Sequence, residues 1–152
     1  MKLAHNLMAA LAMGVCALAA QAEVVSVPIA GGPFESVLPP AANIKVTMVA
    51  PFRLDATVVS NADFAEFLGK HPEWRRDRVA GLFADEGYLR HWASAASPGA
   101  AIAQQPATQV SWFAASAYCE ARGARLPRWY EWEFAAAASA TRPDARKDPA
   151  WL

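Results

Sequence analysis

The stretch that decides the fold is Val110-Ser111-Trp112-Phe113-Ala114-Ala115-Ser116-Ala117-Tyr118-Cys119, then Gly123-Ala124-Arg125-Leu126-Pro127, then Glu131-Trp132-Glu133-Phe134-Ala135-Ala136. Ser111 offers a side-chain oxygen where a helix must begin, and so caps the helix that follows. Trp112, Ala115, Tyr118 and Cys119 recur at helical spacing, which predicts a stripe with Cys119 on its buried side. Gly123 stops that helix. Leu126-Pro127 sets the entry to another, which starts near Arg128 and carries Trp129, Trp132, Phe134 and the helix-forming alanine run 135–138. The tryptophans and Tyr118 are expected to lock the two helices together.

Upstream, Val24 to Ile29 is β-rich and is expected to stop at the turn signal Gly31-Gly32-Pro33. Pro39-Pro40 breaks the next stretch. Ile44, Val46 and Met48 alternate, as do Phe52, Leu54 and Ala56, with Ala50-Pro51 between them; this predicts a half-buried antiparallel pair. Ser60-Asn61-Ala62-Asp63 has the pattern of a capping box, Phe64, Phe67 and Leu68 form one apolar stripe, and Gly69 with Pro72 ends the first helix. Residues 74–105 are the least regular, with 94–105 reading as loop. The expectation is an α+β domain with short antiparallel strands and about three helices.

At the N-terminus, Met1-Lys2, an uncharged apolar run from Leu7 to Ala20 and the small-x-small site Ala20-Gln21-Ala22 make a secretory signal peptide over 1–22, cut after Ala22. A retained anchor is the weaker reading because the run is short for a bilayer. Lipid attachment at Cys16 is weaker too, since Val15 stands where a small residue is expected. The mature domain then covers 23–140, followed by a charged, proline-containing segment at 141–152, and the expected location is secreted or periplasmic. Removing the signal takes Cys16 with it, so Cys119 is the remaining thiol: a buried apolar filler, or half of a bridge whose partner lies elsewhere. The chain has 14 basic and 14 acidic residues and is 55% hydrophobic. That balance gives no electrostatic reason to expect nucleic acid or an anionic membrane as partner.

No nucleophile–base motif, phosphate loop or zinc pattern is present. The separations of His71, His91 and Cys119 match no metal signature. Arg75, Arg76 and Arg78 around Asp77 read as a solvated face before they read as an acidic-partner site. Glu131 and Glu133 stand two apart on a helix and do not share a face. Five of the six tryptophans fall between Trp74 and Trp132; a core accounts for most of them, and a peptide-binding groove is the alternative.

The three quoted motifs resemble the signature of the formylglycine-generating enzyme and sulfatase-modifying factor superfamily: V-S-W-x-x-A-x-A-Y-C, G-x-R-L-P-T and E-W-E-Y-A-A. Gly31-Gly32-Pro33-Phe34, Pro51-Phe52 and Val59-Ser60-Asn61-Ala62-Asp63-Phe64 resemble further segments of it, in the same order. One departure is Arg128, where the family has a threonine that would cap the third helix; losing the cap costs about 1 kcal/mol unless something else satisfies the amides.

The resemblance implies a fold similar to C-type lectin domains. It also implies, for intact relatives, protein maturation by oxidative modification of a partner protein. In the family the domain is about twice as long, and its copper-binding cysteine pair and calcium sites lie in the C-terminal half. The expectation is therefore a truncated domain with no catalytic or metal-binding residue of its own, no cofactor, and apolar surface exposed around its second and third helices. Copper, calcium or iron belong to intact relatives. Cys119 matches a non-catalytic family cysteine that bridges to the distal half. The alternatives are a non-catalytic periplasmic accessory domain, for instance for a nitrite-reductase-type enzyme, which residues 82–92 most resemble, or a nonheme-iron sulfoxide-synthase-like member. The expected partner is a protein substrate or a periplasmic enzyme.

Overall fold

The computed structural model describes residues 25–140. The expected signal at 1–22 and the charged segment at 141–152 lie outside the described residues. The order is β1 (Ser26–Ile29), β2 (Gly32–Phe34), β3 (Thr47–Val49), β4 (Phe52–Asp55), α1 (Asn61–Lys70), α2 (Trp112–Ala121) and α3 (Trp129–Ala140), with single 3-10 turns at Pro72–Trp74 and Ala100–Ile102. This is an α+β fold with three helices and two short antiparallel two-stranded sheets.

The strands pair differently from the local alternation. β1 pairs with β4, with Ser26 opposite Asp55 and Ile29 opposite Phe52. β2 pairs with β3, with Gly32 opposite Val49 and Phe34 opposite Thr47. The register is the same in both, so residues 26–34 and 47–55 form one ribbon interrupted at its middle. Gly31-Gly32-Pro33 is therefore not a turn that ends a strand. Gly31 sits at φ +70°, where an added Cβ would overlap the Val49 and Ala50 carbonyls. Pro51, which the shared register sets opposite Ala30, has no N–H to give the ladder. The interruption also changes which face is buried. Met48 is 71% exposed and its neighbour Val49 only 6%, the reverse of the expected Ile44–Val46–Met48 face.

α1 forms as its sequence predicts. Ser60 Oγ accepts from Asp63 N at 3.1 Å and Asp63 Oδ2 accepts from Ser60 N at 3.0 Å, a complete capping box. Two further free amides of the first turn, those of Asn61 and Ala62, donate to the carbonyls of Gln105 and Ala103. Phe64, Phe67 and Leu68 face inward. Gly69 lies inside the last turn, and Pro72 is the true stop.

Around that stripe the core collects Tyr88, Leu89, Trp92, Ala114 and Tyr118. Three of these come from the irregular segment, which lacks any helical or strand period to mark them. Asn61 holds this segment in place. It is 1% exposed; its Nδ2 donates to the Ile102 carbonyl at 2.9 Å and its Oδ1 accepts from Trp92 Nε1 at 2.9 Å.

α2 is capped as expected, Ser111 Oγ accepting from Ala114 N at 3.1 Å. Its buried stripe is Ala114 and Tyr118, however, and Cys119 is only partly buried. Trp112 points away from the core at 67% exposed. Trp129 and Trp132 of α3 are also exposed, at 55% and 59%. The tryptophans therefore do not lock the two helices together. Apolar side chains stand open around both, as the family resemblance implied. α3 packs instead on the ribbon: Phe34 meets Tyr130 and Phe134 edge-on at 6.2 and 5.7 Å, and Glu133 accepts from Ser36 Oγ at 2.6 Å.

Replacing Asn61 by alanine leaves the buried Trp92 indole N–H without its acceptor and takes from the Ile102 carbonyl one of its two donors, the Gln105 amide remaining. The expected loss is about 2–4 kcal/mol of unfolding free energy, read as a lower urea midpoint. Asn61→Asp, which keeps an acceptor for Trp92 but sets a buried carboxylate oxygen against the Ile102 and Pro106 carbonyls, is expected to lose at least as much.

Candidate functional site

α2 has two working faces. Ala114 and Tyr118, one turn apart, face the core, while Trp112, Phe113, Ser116, Ala117 and Glu120 recur along the other side. That second face forms one wall of an open groove of about 540 Å³. The opposite wall comes from the turn after α1 and the segment that follows: Glu73, Trp74, Arg78, Val79, Ala80 and Phe83. Four rings run through it in sequence. Trp74 and Phe83 have centroids 6.0 Å apart, Phe83 and Phe113 5.2 Å, and Phe113 and Trp112 5.5 Å, with neighbouring planes at 57° to 85°. Tilted pairs of this kind expose both ring faces and ring edges.

The groove wall is tied to the core through the backbone. Tyr88 donates its phenol proton to the Trp74 carbonyl at 2.8 Å, and Arg76 Nη1 donates to the Leu89 carbonyl at 2.6 Å. Burial pushes the Tyr88 phenol well above its ordinary range, so it stays a donor. The basic cluster divides by task. Arg75 grips Asp77 at 3.0–3.1 Å, Arg76 braces the core, and Arg78 lines the groove. Of the tryptophans, Trp74 and Trp112 face the groove and Trp92 is core. The groove reading of the aromatics thus applies to two of them.

The weighed titratable residues stay apart. His71 stacks on Phe67 at 4.8 Å between centroids, and its Nδ1 lies 3.5 Å from Glu73. His91 Nδ1 lies 3.1 Å from Gln109 Oε1. Cys119 is the one cysteine among the described residues. Burial pushes its thiol up, the Arg122 guanidinium only partly offsetting this, which disfavours the thiolate needed for nucleophilic or metal chemistry. Arg122 also bonds Asp55 at 3.0 Å and lies 5.2 Å over the Tyr118 ring, joining the ribbon to α2.

Glu131 and Glu133 serve different partners. Glu131 takes a bidentate fork from Arg125 at 2.6 and 2.7 Å, and accepts from the Arg128 amide at 2.7 Å. The Glu131 carboxylate thus meets the amide of the residue before α3, the reciprocal half of a capping box, while Arg128 offers no hydroxyl to the first-turn amides that a threonine there would cap.

With this geometry in view, comparison with known proteins gives a family. Residues 15–148 match the sulfatase-modifying factor enzyme 1-like domain, and the chain belongs to this family. It is 34% identical over 122 aligned residues to a Bos taurus protein named inactive C-alpha-formylglycine-generating enzyme 2, covering 61% of this chain and 40% of that protein. A Mus musculus protein of the same name is 32% identical over 114 residues, covering 58% of this chain and 37% of that one. The chain thus spans about two fifths of the length of the curated relatives it matches.

The described residues do not fit the metals of intact relatives. A copper-binding cysteine pair needs two thiols where the described residues hold one, and no three His, Cys, Asp or Glu side chains converge among them. Nor is any described helix long and apolar enough to cross a membrane.

The Arg125–Glu131 pair makes stability depend on acid. The Arg125 fork, aided by the Arg128 amide, lowers the Glu131 carboxyl from 4.5 to about 2. Its contribution is complete above the ordinary value and is lost as pH falls from about 4.5 toward 2. Arg125 is half exposed, so solvent screens the pair, and Glu131→Gln is expected to cost about 1–2 kcal/mol at neutral pH. Urea midpoints across that window should converge for the two proteins as pH falls; a constant gap would contradict the assignment.

Proposed function

We propose that the chain is an exported, non-catalytic member of its family, which binds a partner polypeptide in a periplasmic or extracellular compartment and does not oxidise it. The observation that carries this reading is the match to two relatives that are both named inactive. Cys119, the one described cysteine, is half-buried on α2 with its thiol pushed up by burial, which disfavours the thiolate form. The open aromatic groove on α2 supplies a surface suited to binding.

The test is to incubate the purified chain with copper, oxygen and a cysteine-containing sulfatase-type peptide, then follow the peptide by mass spectrometry. The cysteine is expected to come through unchanged; a formylglycine product would overturn the reading. So would a coding sequence that continues past codon 152 into a cysteine pair.

Export rests on the charged start, apolar run and Ala20-Gln21-Ala22 site. In a bacterial host with a periplasm, the recovered protein is expected to begin at Glu23. A product that stays in the cytoplasm with Met1 intact would refute it.

A further inference from the structure

The groove between α2 and the segment after α1 combines two features that a simple apolar cleft does not have. Its wall is a relay of four aromatic rings, and its charged lining is two carboxylates, Glu73 and Glu120, against one guanidinium, Arg78. Aromatic faces are electronegative, so rings and carboxylates favour the same sign of ligand. An anion would meet both with repulsion. A purely aliphatic side chain would cover the rings but draw water from two carboxylates that have one guanidinium in the lining between them. A lysine satisfies both, its methylene stem lying on apolar surface while its ammonium reaches the acids.

We infer that this groove receives a lysine side chain of a partner polypeptide, with the stem against Trp112 and Phe113 and the ammonium toward Glu73 and Glu120. This rests on the reading that the chain binds a partner polypeptide, and it adds where and by what chemistry. The groove is of a size for one side chain and its neighbours, about 540 Å³. Its principal ring is free to engage, Trp112 being 67% exposed. The other groups facing the site set its balance. Ser116 Oγ donates to Glu120 at 2.9 Å and so orients that carboxylate. His71 lies 3.5 Å from Glu73 and competes for it when protonated. Arg78 opposes an incoming cation, which makes its removal informative in sign.

The probe is a blocked pentapeptide, Ala-Leu-Lys-Leu-Ala, beside a twin with norleucine at the centre, each titrated against the purified full chain and followed by tryptophan fluorescence. The lysine peptide is expected to bind about tenfold tighter than its neutral twin. Glu73→Gln with Glu120→Gln should erase that difference, and Trp112→Ala should remove binding of the lysine peptide. Arg78→Gln should tighten it. Trp129→Ala, on the exposed face of α3, should leave it unchanged. Circular dichroism of each variant shows that the fold is retained. Equal affinity for the twins, no binding of either, or a lysine preference that survives loss of both carboxylates would overturn the inference. None of these outcomes touches the non-catalytic reading, which falls only on formylglycine or on a distal cysteine pair.

Discussion

The side-chain amide of Asn61 is the contact on which the arrangement of the core depends. It stands in the first turn of α1, yet both its donor and its acceptor are spent on other parts of the chain, the Ile102 carbonyl and the Trp92 indole. A buried amide with every group satisfied is directional, and unlike an apolar contact it admits one geometry. It therefore fixes the irregular segment against α1 where no ladder or helix would do so. The same segment returns the support, since Gln105 and Ala103 accept the amides that the start of α1 leaves open. Nearby, Leu89 and Gln109 hold left-handed backbones at φ 49° and 53°. Such conformations cost about 1 kcal/mol or more for residues with a Cβ. They are sustained by the bond from Leu89 N to the Gln109 carbonyl and by Arg76 on the Leu89 carbonyl.

What was legible in the sequence followed from how local the responsible forces are. Ser60 with Asp63 and Ser111 act within one turn, and both caps were readable. The Phe64–Phe67–Leu68 stripe was readable because nothing else competes for that face. The strand partners were not, because Gly31 and Pro51 resemble turn residues and act here as an interruption within one register. Tyr88, Leu89 and Trp92 were missed since no period marks a core residue in a chain of turns. Of the expected α2 stripe Tyr118 is buried and Trp112 is not; Ala114 stands inside instead, since close packing favours the smaller residue there. The groove was visible only as a surplus of tryptophan. Its walls come from the start of the irregular region and from α2, with residues 84–111 between them.

The family motif and the groove share α2 and overlap at Trp112 and Ala117, yet they answer to different constraints. Ser111, Tyr118, Arg125 and Glu131 all make contacts that hold the domain together, so the signature speaks first about architecture. Phe113, Ser116 and Glu120 fall at the unspecified positions of that signature or beyond it, and are residues through which members of one fold can differ in what they bind. Cys119 stands on the same helix, and burial by the packing that defines the fold pushes its thiol up.

The ribbon has a consequence for how the protein behaves among copies of itself. With two strands to a sheet, each strand described is an edge, and edges invite pairing with other chains. Here none runs longer than four residues before the ladder is interrupted. Pro28 and Pro33 each withhold a donor from β1 and β2, and Arg53 puts a charge on β4. The same Gly31–Pro51 break that re-aims the strands toward α3 thus denies an incoming strand a continuous template, and a protein with open tryptophans on its helices is left with little to offer an aggregate along its sheet.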